Sequence, residues 1–230
     1  MALFAIADLH LSMGTDKPMD IFKGWQDYSS RLENNWRNLV SDSDTVVVAG
    51  DISWAMRLEE CYEDFSFLNS LPGKKILLKG NHDYWWATKK KIDEYLDING
   101  FDTISILFNN SFTVDNITIC GSRGWYYDAD TDADIKVINR EVGRLKLSLD
   151  SISDKDCTPI VFLHYPPVYS DLECKEIMDV LKDYGIKECY YGHLHGAHTH
   201  KNAVTGMYKD INMHLISTDY VDFTPVLVRN

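Results

Sequence analysis

The chain carries few of the features that mark a secreted or membrane protein. Its five cysteines are scattered and form no C-x-x-C pair, which excludes a disulfide framework and a zinc knuckle and fits a reducing compartment. The apolar N-terminal stretch has no basic region before it and is interrupted by Asp8 and His10, so we expect no signal peptide. No apolar run approaches the ~20 residues of a membrane span. We therefore expect a cytoplasmic protein without membrane contact.

Positive charge is also scarce. The 230 residues include 23 Lys and Arg against 35 Asp and Glu, a net charge of −12, and such a surface repels the phosphates of duplex nucleic acid. We therefore expect no duplex nucleic acid partner. An acidic chain can still hold a locally positive site, and bound divalent cations are the usual means of making one. The length and the ordinary 45% hydrophobic content predict one domain, residues 1–230, with a substantial core.

Strand-length apolar runs alternate with longer amphipathic segments along the chain. The runs predict strands at Leu3–Ala7, Thr45–Ala49, Lys75–Leu78, Pro159–Leu163 and Cys189–Tyr191. Apolar residues spaced by three and four predict helices over Arg31–Ser41, Arg57–Leu68, Thr88–Leu96, Val137–Leu149 and Leu172–Tyr184. Two hairpins are predicted at Ser111–Val114 with Ile117–Cys120, and at Ala203–Tyr208 with Ile211–Ile216. The alternation is typical of α/β proteins with buried strands, arranged as one mixed sheet or as two sheets.

Residues able to bind a metal follow directly after these predicted strands. In the first motif, Asp8 and His10 are two positions apart, so an extended chain turns both side chains to the same side. The corresponding positions after later strands hold Gly50-Asp51, Gly80-Asn81-His82-Asp83, His164 and Gly192-His193-Leu194-His195. Ligands of α/β sheets bind at the carboxyl ends of strands, and buried carboxylates and imidazoles are costly unless they are paired or bind metal. Because such residues follow each of five predicted strands, the sequence predicts a metal site.

The chemistry of these side chains indicates the kind of metal site. Oxygen and nitrogen donors without cysteine suit Mn²⁺, Fe or Zn²⁺, of which we favour Mn²⁺. The donors exceed what one ion accepts, whereas two ions that share a bridging carboxylate use all of them. Two ions about 3.5–4 Å apart can stabilise both the attacking and the leaving oxygen of a phosphoryl displacement. The motifs therefore predict two divalent metal ions and a positive site for phosphate within an acidic protein.

Taken in order, the motifs D-x-H, G-D, G-N-H-[DE], H and G-H-x-H resemble the signature of the calcineurin-like metallophosphoesterases. The resemblance spans residues 8–195. It implies a four-layer αββα sandwich, in which two stacked mixed β-sheets are flanked by helices. It also implies a hydrolase of phosphoric esters that acts on a small phosphorylated substrate, as a phosphodiesterase or a phosphomonoesterase, with a metal-bridging hydroxide as nucleophile.

The resemblance further implies a role for each motif residue. The first ion would be held by Asp8, His10, Asp51 and His195. The second ion would be held by Asp51 as the bridge, Asn81, His164 and His193. His82 would remain free of the metals and act as general acid toward the leaving oxygen.

One position departs from the Ser/Thr protein phosphatase branch of this family. That branch carries G-D-x-x-D-R, and its second Asp orients the catalytic histidine, whereas here Trp54 occupies that place. His82 therefore needs another orienting group. The adjacent Asp83 is the candidate, and its alternative role is to cap the following helix.

Four further residues are candidates for substrate contact. Arg123, in a glycine-rich turn, could bind a phosphate group, or could form a surface ion pair. Trp54 and Trp125 could wall the site, or could pack in the core or at its rim. His198 extends the last histidine motif and could touch substrate, or could lie at the surface.

Two longer features bear on specificity and on function. Asp128–Asp134 is predicted to be a solvated loop over the site, and Gly121–Leu149 is the insertion expected to shape specificity. The rival function is a catalytically inactive binding module of the same fold. Such a protein should lack metal ligands or the catalytic histidine, and this chain has both.

Overall fold

The fold alternates strands and helices, and the computed structural model describes residues 1–125 and 131–230 of it. Strands β1 to β13 are Leu3–Ile6, Thr45–Ala49, Lys74–Leu78, Ile104–Leu107, Phe112–Val114, Ile117–Ser122, Thr158–Leu163, Val168–Tyr169, Leu172–Glu173, Glu188–Tyr191, Gly206–Tyr208, Ile211–Leu215 and Val226–Arg229. Helices α1 to α6 are Tyr28–Leu39, Tyr62–Ser70, Lys89–Ile98, Asp132–Asp150, Lys175–Asp183 and Gly196–His200. Short 3-10 helices lie at Met19–Ile21 and Leu58–Cys61.

The large strands form two mixed sheets. The first sheet has five strands in the order β13-β1-β2-β3-β4, parallel except for β13. The second has six strands in the order β11-β12-β10-β7-β6-β5, with a parallel centre and an antiparallel pair at each end. Because the central strands of both sheets are parallel, each sheet brings several carboxyl ends to one edge.

Alternating side chains build the layers. In β1, Phe4 and Ile6 point into a core shared with α1 and α2, whereas Leu3 and Ala5 point into a core between the two sheets. The second sheet repeats this pattern, and its outer face packs with Leu145 and other residues of α4 and α5. A strand that is buried on both faces reads as an unbroken apolar run, which is why these strands were predictable. The four-layer αββα sandwich with two stacked mixed sheets is confirmed.

Some predicted boundaries are wrong. The helix expected from Leu172 begins at Lys175, because Leu172–Glu173 pairs with Val168–Tyr169 as a small antiparallel ladder. The Asp-rich loop ends earlier than expected, because Thr131 caps α4 by accepting a hydrogen bond from the backbone N–H of Asp134 at 3.2 Å. The first part of that predicted loop, residues 128–130, lies outside the described residues.

Besides the small ladder of β8 and β9, two strands of the large sheets and one strand direction were not predicted. Strands β4 and β13 lie at the two ends of the first sheet, where pairing with a distant strand decides their structure. The second predicted hairpin exists as β11 and β12, but β12 also runs parallel to β10 on its other side. Among the described helices, none combines the length and the apolar character that crossing a membrane requires.

Helix α4 offers a matched test of the outer layer. Leu145 is 0% exposed and Leu147 is 53% exposed on the same helix. We expect Leu145→Ala to lower the free energy of unfolding by about 2–5 kcal/mol, because it leaves a cavity against the second sheet. The control variant Leu147→Ala should change the free energy of unfolding by no more than about 0.5 kcal/mol. Urea denaturation of both variants measures this, and equal losses would contradict the packing of α4 described here.

Candidate metal centre

The predicted metal-binding residues come together at one edge of the two sheets. They follow β1, β2, β3, β7 and β10, in that order, as Asp8 and His10, Asp51, Asn81, His164, and His193 with His195. The two sheets are joined at this edge, where Nδ1 of His164 lies 3.1 Å from the carbonyl oxygen of Ala49 at the end of β2. Side chains from both sheets therefore share one site.

The backbone is strained where these side chains begin. Asp8, His10, Asp51 and His193 have φ angles of 62°, 47°, 50° and 72°. Non-glycine residues rarely adopt this left-handed conformation, which costs about 1–3 kcal/mol each and is concentrated at functional sites. The rest of the fold must offset this cost. In return, four of the candidate ligands are held in one fixed arrangement.

Two motif glycines allow the loops to approach each other. A Cβ on Gly80 would lie 2.1 Å from Oδ1 of Asp51, and a Cβ on Gly192 would lie 2.6 Å from Oδ2 of Asp8. Both separations are far inside van der Waals contact. The glycines of G-N-H-D and G-H-x-H are therefore required by the close packing of backbone against the two carboxylates.

The candidate ligands form two neighbouring groups. Asp8, His10 and His195 make one, Asp51, His164 and His193 make the other, and within each group the ligand atoms lie within 4.8 Å of one another. Asp51 lies between the groups. Its Oδ2 is 3.7 Å from Nε2 of His10, and its Oδ1 is 3.6 Å from Nε2 of His164.

Asn81 adds a neutral oxygen to the second group. Its Oδ1 lies 2.6 Å from Nε2 of His164. In the first group, Nε2 of His10 and Nε2 of His195 lie 3.3 Å apart. Among the described residues, Oδ1 of Asp8 and Nδ1 of His10 are buried without a hydrogen-bond partner. Buried polar atoms of this kind are rare unless an ion or a water satisfies them, and the oxygen and imidazole donors fit divalent cations.

Burial sets the protonation of the site. It raises the pKa of Asp8 to about 7, with the neighbouring Asp51 carboxylate adding to the effect. Burial lowers the pKa of His164 to about 3 and that of His193 to about 2, so both rings are neutral, which is the form that binds metal. Burial opposes protonation of His195 too, but the carboxylates of Asp8 and Asp219 raise its pKa to about 9.

Asp219 is a residue of the site that the sequence analysis missed. Its Oδ1 lies 2.9 Å from Nδ1 of His195, and its Oδ2 accepts a hydrogen bond from the backbone N–H of Gly196 at 2.8 Å. A carboxylate on the far nitrogen of a metal-binding histidine fixes the tautomer and the ring orientation. The available signal was the position of Asp219 shortly after β12, a strand assigned only to a hairpin although it also runs parallel to β10.

Asp83 ties together the loops after β2 and β3. Its carboxylate accepts hydrogen bonds from the backbone N–H groups of Asp51 (3.0 Å), Ile52 (2.8 Å) and Gly80 (2.7 Å). It also accepts a bond from the indole of Trp85 at 3.0 Å. Burial and the nearby Asp51 carboxylate raise its pKa to about 7.

The sequence suggested two roles for Asp83, orienting His82 or capping the following helix, and these contacts bear on both. The following helix, α3, is capped by Thr88, which accepts a bond from the backbone N–H of Lys91, so the capping role of Asp83 is wrong. The hydrogen bonds of Asp83 among the described residues go to backbone and indole N–H groups rather than to the ring of His82. The hydroxyl of Tyr84, 3.5 Å from Nδ1 of His82, is the polar group found at that ring.

The candidate substrate contacts lie in different environments. Trp54 stacks on the ring of His10 at 4.9 Å and lies 4.6 Å from the ring of His82. Arg123 lies 3.5 Å from the buried carboxylate of Glu141 and 4.8 Å from the ring of Trp125. His198 is exposed on α6. Trp54 is thus at the metal centre, and the guanidinium of Arg123 already has a carboxylate partner.

The fold and the site define an α/β protein with two adjoining ligand groups at the carboxyl edge of two sheets. The model of the calcineurin-like phosphoesterase family matches residues 1–197. The chain therefore belongs to the calcineurin-like phosphoesterases. Family membership implies divalent metal ions, and together with the two ligand groups it indicates a metal-dependent phosphoester hydrolase.

Solved structures share the fold at low identity. The phosphopantetheinyl hydrolase of Mycobacterium tuberculosis has 16% identity and a TM-score of 0.61, covering 99% of this chain and 95% of its own. A protein of unknown function from Aquifex aeolicus has 18% identity and a TM-score of 0.51, covering 98% and 95%. A protein from Thermus thermophilus has 8% identity and a TM-score of 0.56, covering 99% and 97%. No curated protein matches the chain.

Metal binding should depend on pH in a defined direction. The pKa of His195 is raised from 6.5 to about 9 and that of Asp8 from 3.8 to about 7, so the metal-free folded state retains protons that the unfolded state releases. These two groups should make its stability fall as the pH rises from 6.5 to 8, whereas His164 and His193, with lowered pKa values, oppose this fall near pH 6.5. A divalent cation such as Mn²⁺ would replace those protons, so its stabilising effect should be larger at pH 8.

Thermal unfolding of chelator-treated protein, with and without Mn²⁺ at the two pH values, measures this effect. The control is His198→Ala, which removes an exposed histidine on α6, the helix directly after His195, and it should behave like the wild type. An equal rise in Tm at pH 6.5 and pH 8 would contradict the predicted exchange of protons for metal.

Proposed function

We propose that this protein is a binuclear metal-dependent hydrolase of phosphoric esters, acting on a small phosphomonoester or phosphodiester. The observation that carries the proposal is the position of Asp51 between two ligand groups, with one carboxylate oxygen nearer to each. A shared carboxylate is what two closely spaced cations require. One structural relative is itself a hydrolase, of phosphopantetheinyl groups, which agrees with the proposal.

The proposed ligand sets follow the two groups. The first ion would be held by Asp8, His10, Asp51 and His195. The second ion would be held by Asp51, Asn81, His164 and His193. Two divalent ions bound there, of which Mn²⁺ suits the donors best, would supply positive charge for the phosphate oxygens and an activated water.

The protein side chains then have separate tasks. Asp219 orients His195 through its Nδ1, and Asp83 holds the backbone of the loops that carry Asp51 and Asn81. The low pKa values of His164 and His193 keep these rings neutral and able to bind metal at physiological pH. In this proposal Asp219 and Asp83 position the ligands, whereas His164 and His193 are ligands, and none of the four exchanges a proton during turnover.

His82 is the proposed general acid. It belongs to neither ligand group, and its backbone N–H donates to Oδ1 of Asp51 at 2.8 Å, which fixes it beside the site. Its ring lies against Trp54 and has the hydroxyl of Tyr84 at 3.5 Å. We propose that His82 protonates the leaving oxygen as the bond to phosphorus breaks, and that Tyr84 orients the ring in place of a carboxylate.

Paired variants test the division between metal binding and acid catalysis. Asp51→Asn should lose metal and turnover together, because the shared carboxylate is gone. His82→Ala should retain its metals and lose about 10²–10⁴-fold in kcat on alkyl phosphates. The loss should be smaller on p-nitrophenyl phosphate and bis-p-nitrophenyl phosphate, because a p-nitrophenolate leaves without needing a proton.

Metal content by atomic spectroscopy and hydrolysis of both aryl esters by Mn²⁺-loaded protein supply the readouts. Turnover of the diester would make the protein a phosphodiesterase, and turnover of the monoester alone would make it a phosphatase. Two bound metals per chain without turnover of any ester would overturn the enzyme proposal and favour the inactive binding module.

A further inference from the structure

A cavity of about 380 Å³ adjoins the metal centre on the side of His82. Its lining includes the rings of His10 and His82, so it is continuous with the site, together with Met19, Phe22 and Trp25. The volume is at the lower end of the about 300–1,000 Å³ typical of pockets for small organic ligands. The cavity is thus large enough for part of a substrate, next to the atoms proposed to react.

The apolar wall of this cavity comes from the segment between β1 and α1. Met19 and Trp25 are 8% and 4% exposed and form a fixed floor. Phe22, at the rim, is 52% exposed, whereas the adjacent Ile21 is 76% exposed and does not line the cavity. An exposed aromatic ring at the rim of a concave apolar site indicates a surface that a ligand covers. The sequence analysis looked for specificity in Gly121–Leu149 and missed this segment.

The tryptophans of the cavity wall contact two of the proposed metal-binding histidines. The ring of Trp25 meets the rings of His10 and His195 edge-on, at 5.9 and 5.7 Å. Trp54 stacks on His10 at 4.9 Å, with an angle of 24° between the ring planes. These contacts fix the tryptophans relative to the ligand groups. A substrate therefore meets a preformed apolar surface, which lowers the entropy cost of binding.

The position of His82 decides which part of the substrate occupies the cavity. In the proposed hydrolysis, water oxygen forms a bond to phosphorus, the bond from phosphorus to the alcohol oxygen breaks, and His82 gives its proton to that alcohol oxygen. The proton can be transferred only over hydrogen-bonding distance. The leaving alcohol must therefore lie beside His82, which is one of the residues that line the cavity.

We propose that the substrate is a phosphoric ester of an apolar alcohol, and that the alcohol portion is bound in this cavity against Met19, Phe22 and Trp25. The inference rests on the proposed function, because it needs His82 to act on the leaving oxygen. The inference specifies the chemical class of the leaving group, which the metal ligands alone do not determine. Phe22 is then a specificity-determining residue, since its ring covers the outer part of the alcohol.

A series of alkyl phosphates tests the proposal in Mn²⁺-loaded protein. Ethyl, butyl and hexyl phosphate differ in apolar length and barely in the basicity of the alcohol. They would compete with the hydrolysis of whichever aryl ester the protein turns over. We expect the inhibition constant to fall by up to about fourfold for each methylene group buried in the cavity.

Two neighbouring variants provide the control. Phe22→Ala should weaken inhibition by hexyl phosphate about tenfold and leave inhibition by ethyl phosphate unchanged, because only the longer chain reaches Phe22. Ile21→Ala, the exposed neighbour, should behave like the wild type with both compounds. Ile21 does not line the cavity, so Ile21→Ala should leave aryl ester turnover unchanged. For Phe22→Ala the readout is the ratio of the two inhibition constants, which does not depend on the turnover number of the variant.

The outcomes separate the two proposals. Equal inhibition by ethyl and hexyl phosphate, or an equal effect of Phe22→Ala on both, would overturn the apolar alcohol site while aryl ester turnover leaves the hydrolase proposal standing. Absence of turnover on every ester by protein with both metals bound would overturn the hydrolase proposal, and with it the inference that rests on it.

Discussion

The carboxylates of Asp8 and Asp51 are buried at the edge where the two sheets meet, and their negative charge is the constraint on which the whole site depends. Burial raises the pKa of both carboxyl groups, because the charged form is poorly solvated there. The neighbouring His164 and His193 are held neutral by the same burial, so His195, whose pKa is raised to about 9, is left as the one cationic ring facing the two carboxylates among these three histidines. Divalent cations resolve the conflict, because they stabilise carboxylates and bind neutral imidazoles at once.

The loops around these carboxylates are held by contacts that have no chemical role of their own. Asp83 accepts hydrogen bonds from the backbone N–H groups of Asp51 and Gly80, so one side chain fixes the loops after β2 and β3. Gly192 lets its loop approach to within contact of Asp8. Buried hydrogen bonds and close packing position these loops precisely, because a displaced loop would lose hydrogen bonds or create an overlap of atoms. The ligand geometry is therefore a property of the backbone as much as of the ligands.

Much of this site is predictable from the sequence because each motif directly follows a strand that is apolar throughout. The parts that were not predictable depend on contacts between distant residues. The role of Asp83 depends on N–H groups about thirty positions earlier in the chain, whereas its local sequence suggests a cap or a partner for His82. Asp219 escaped notice because the hairpin pattern of β11 and β12 conceals that β12 is parallel to β10. Strand β13 likewise depends on pairing with β1, at the opposite end of the chain.

Position 54 connects the metal chemistry with the choice of substrate. In the protein phosphatase motif this position is an aspartate beside the catalytic histidine, and here it is Trp54, whose ring contacts both His10 and His82. With Trp at this position, His82 has no carboxylate partner from residue 54, and the indole adds apolar surface to the cavity. Apolar walls exclude water and strengthen electrostatic interactions inside the site. Trp54 thus explains why His82 needs a different orienting group, for which the hydroxyl of Tyr84 is proposed. It also contributes to the apolar side on which the leaving alcohol is proposed to bind.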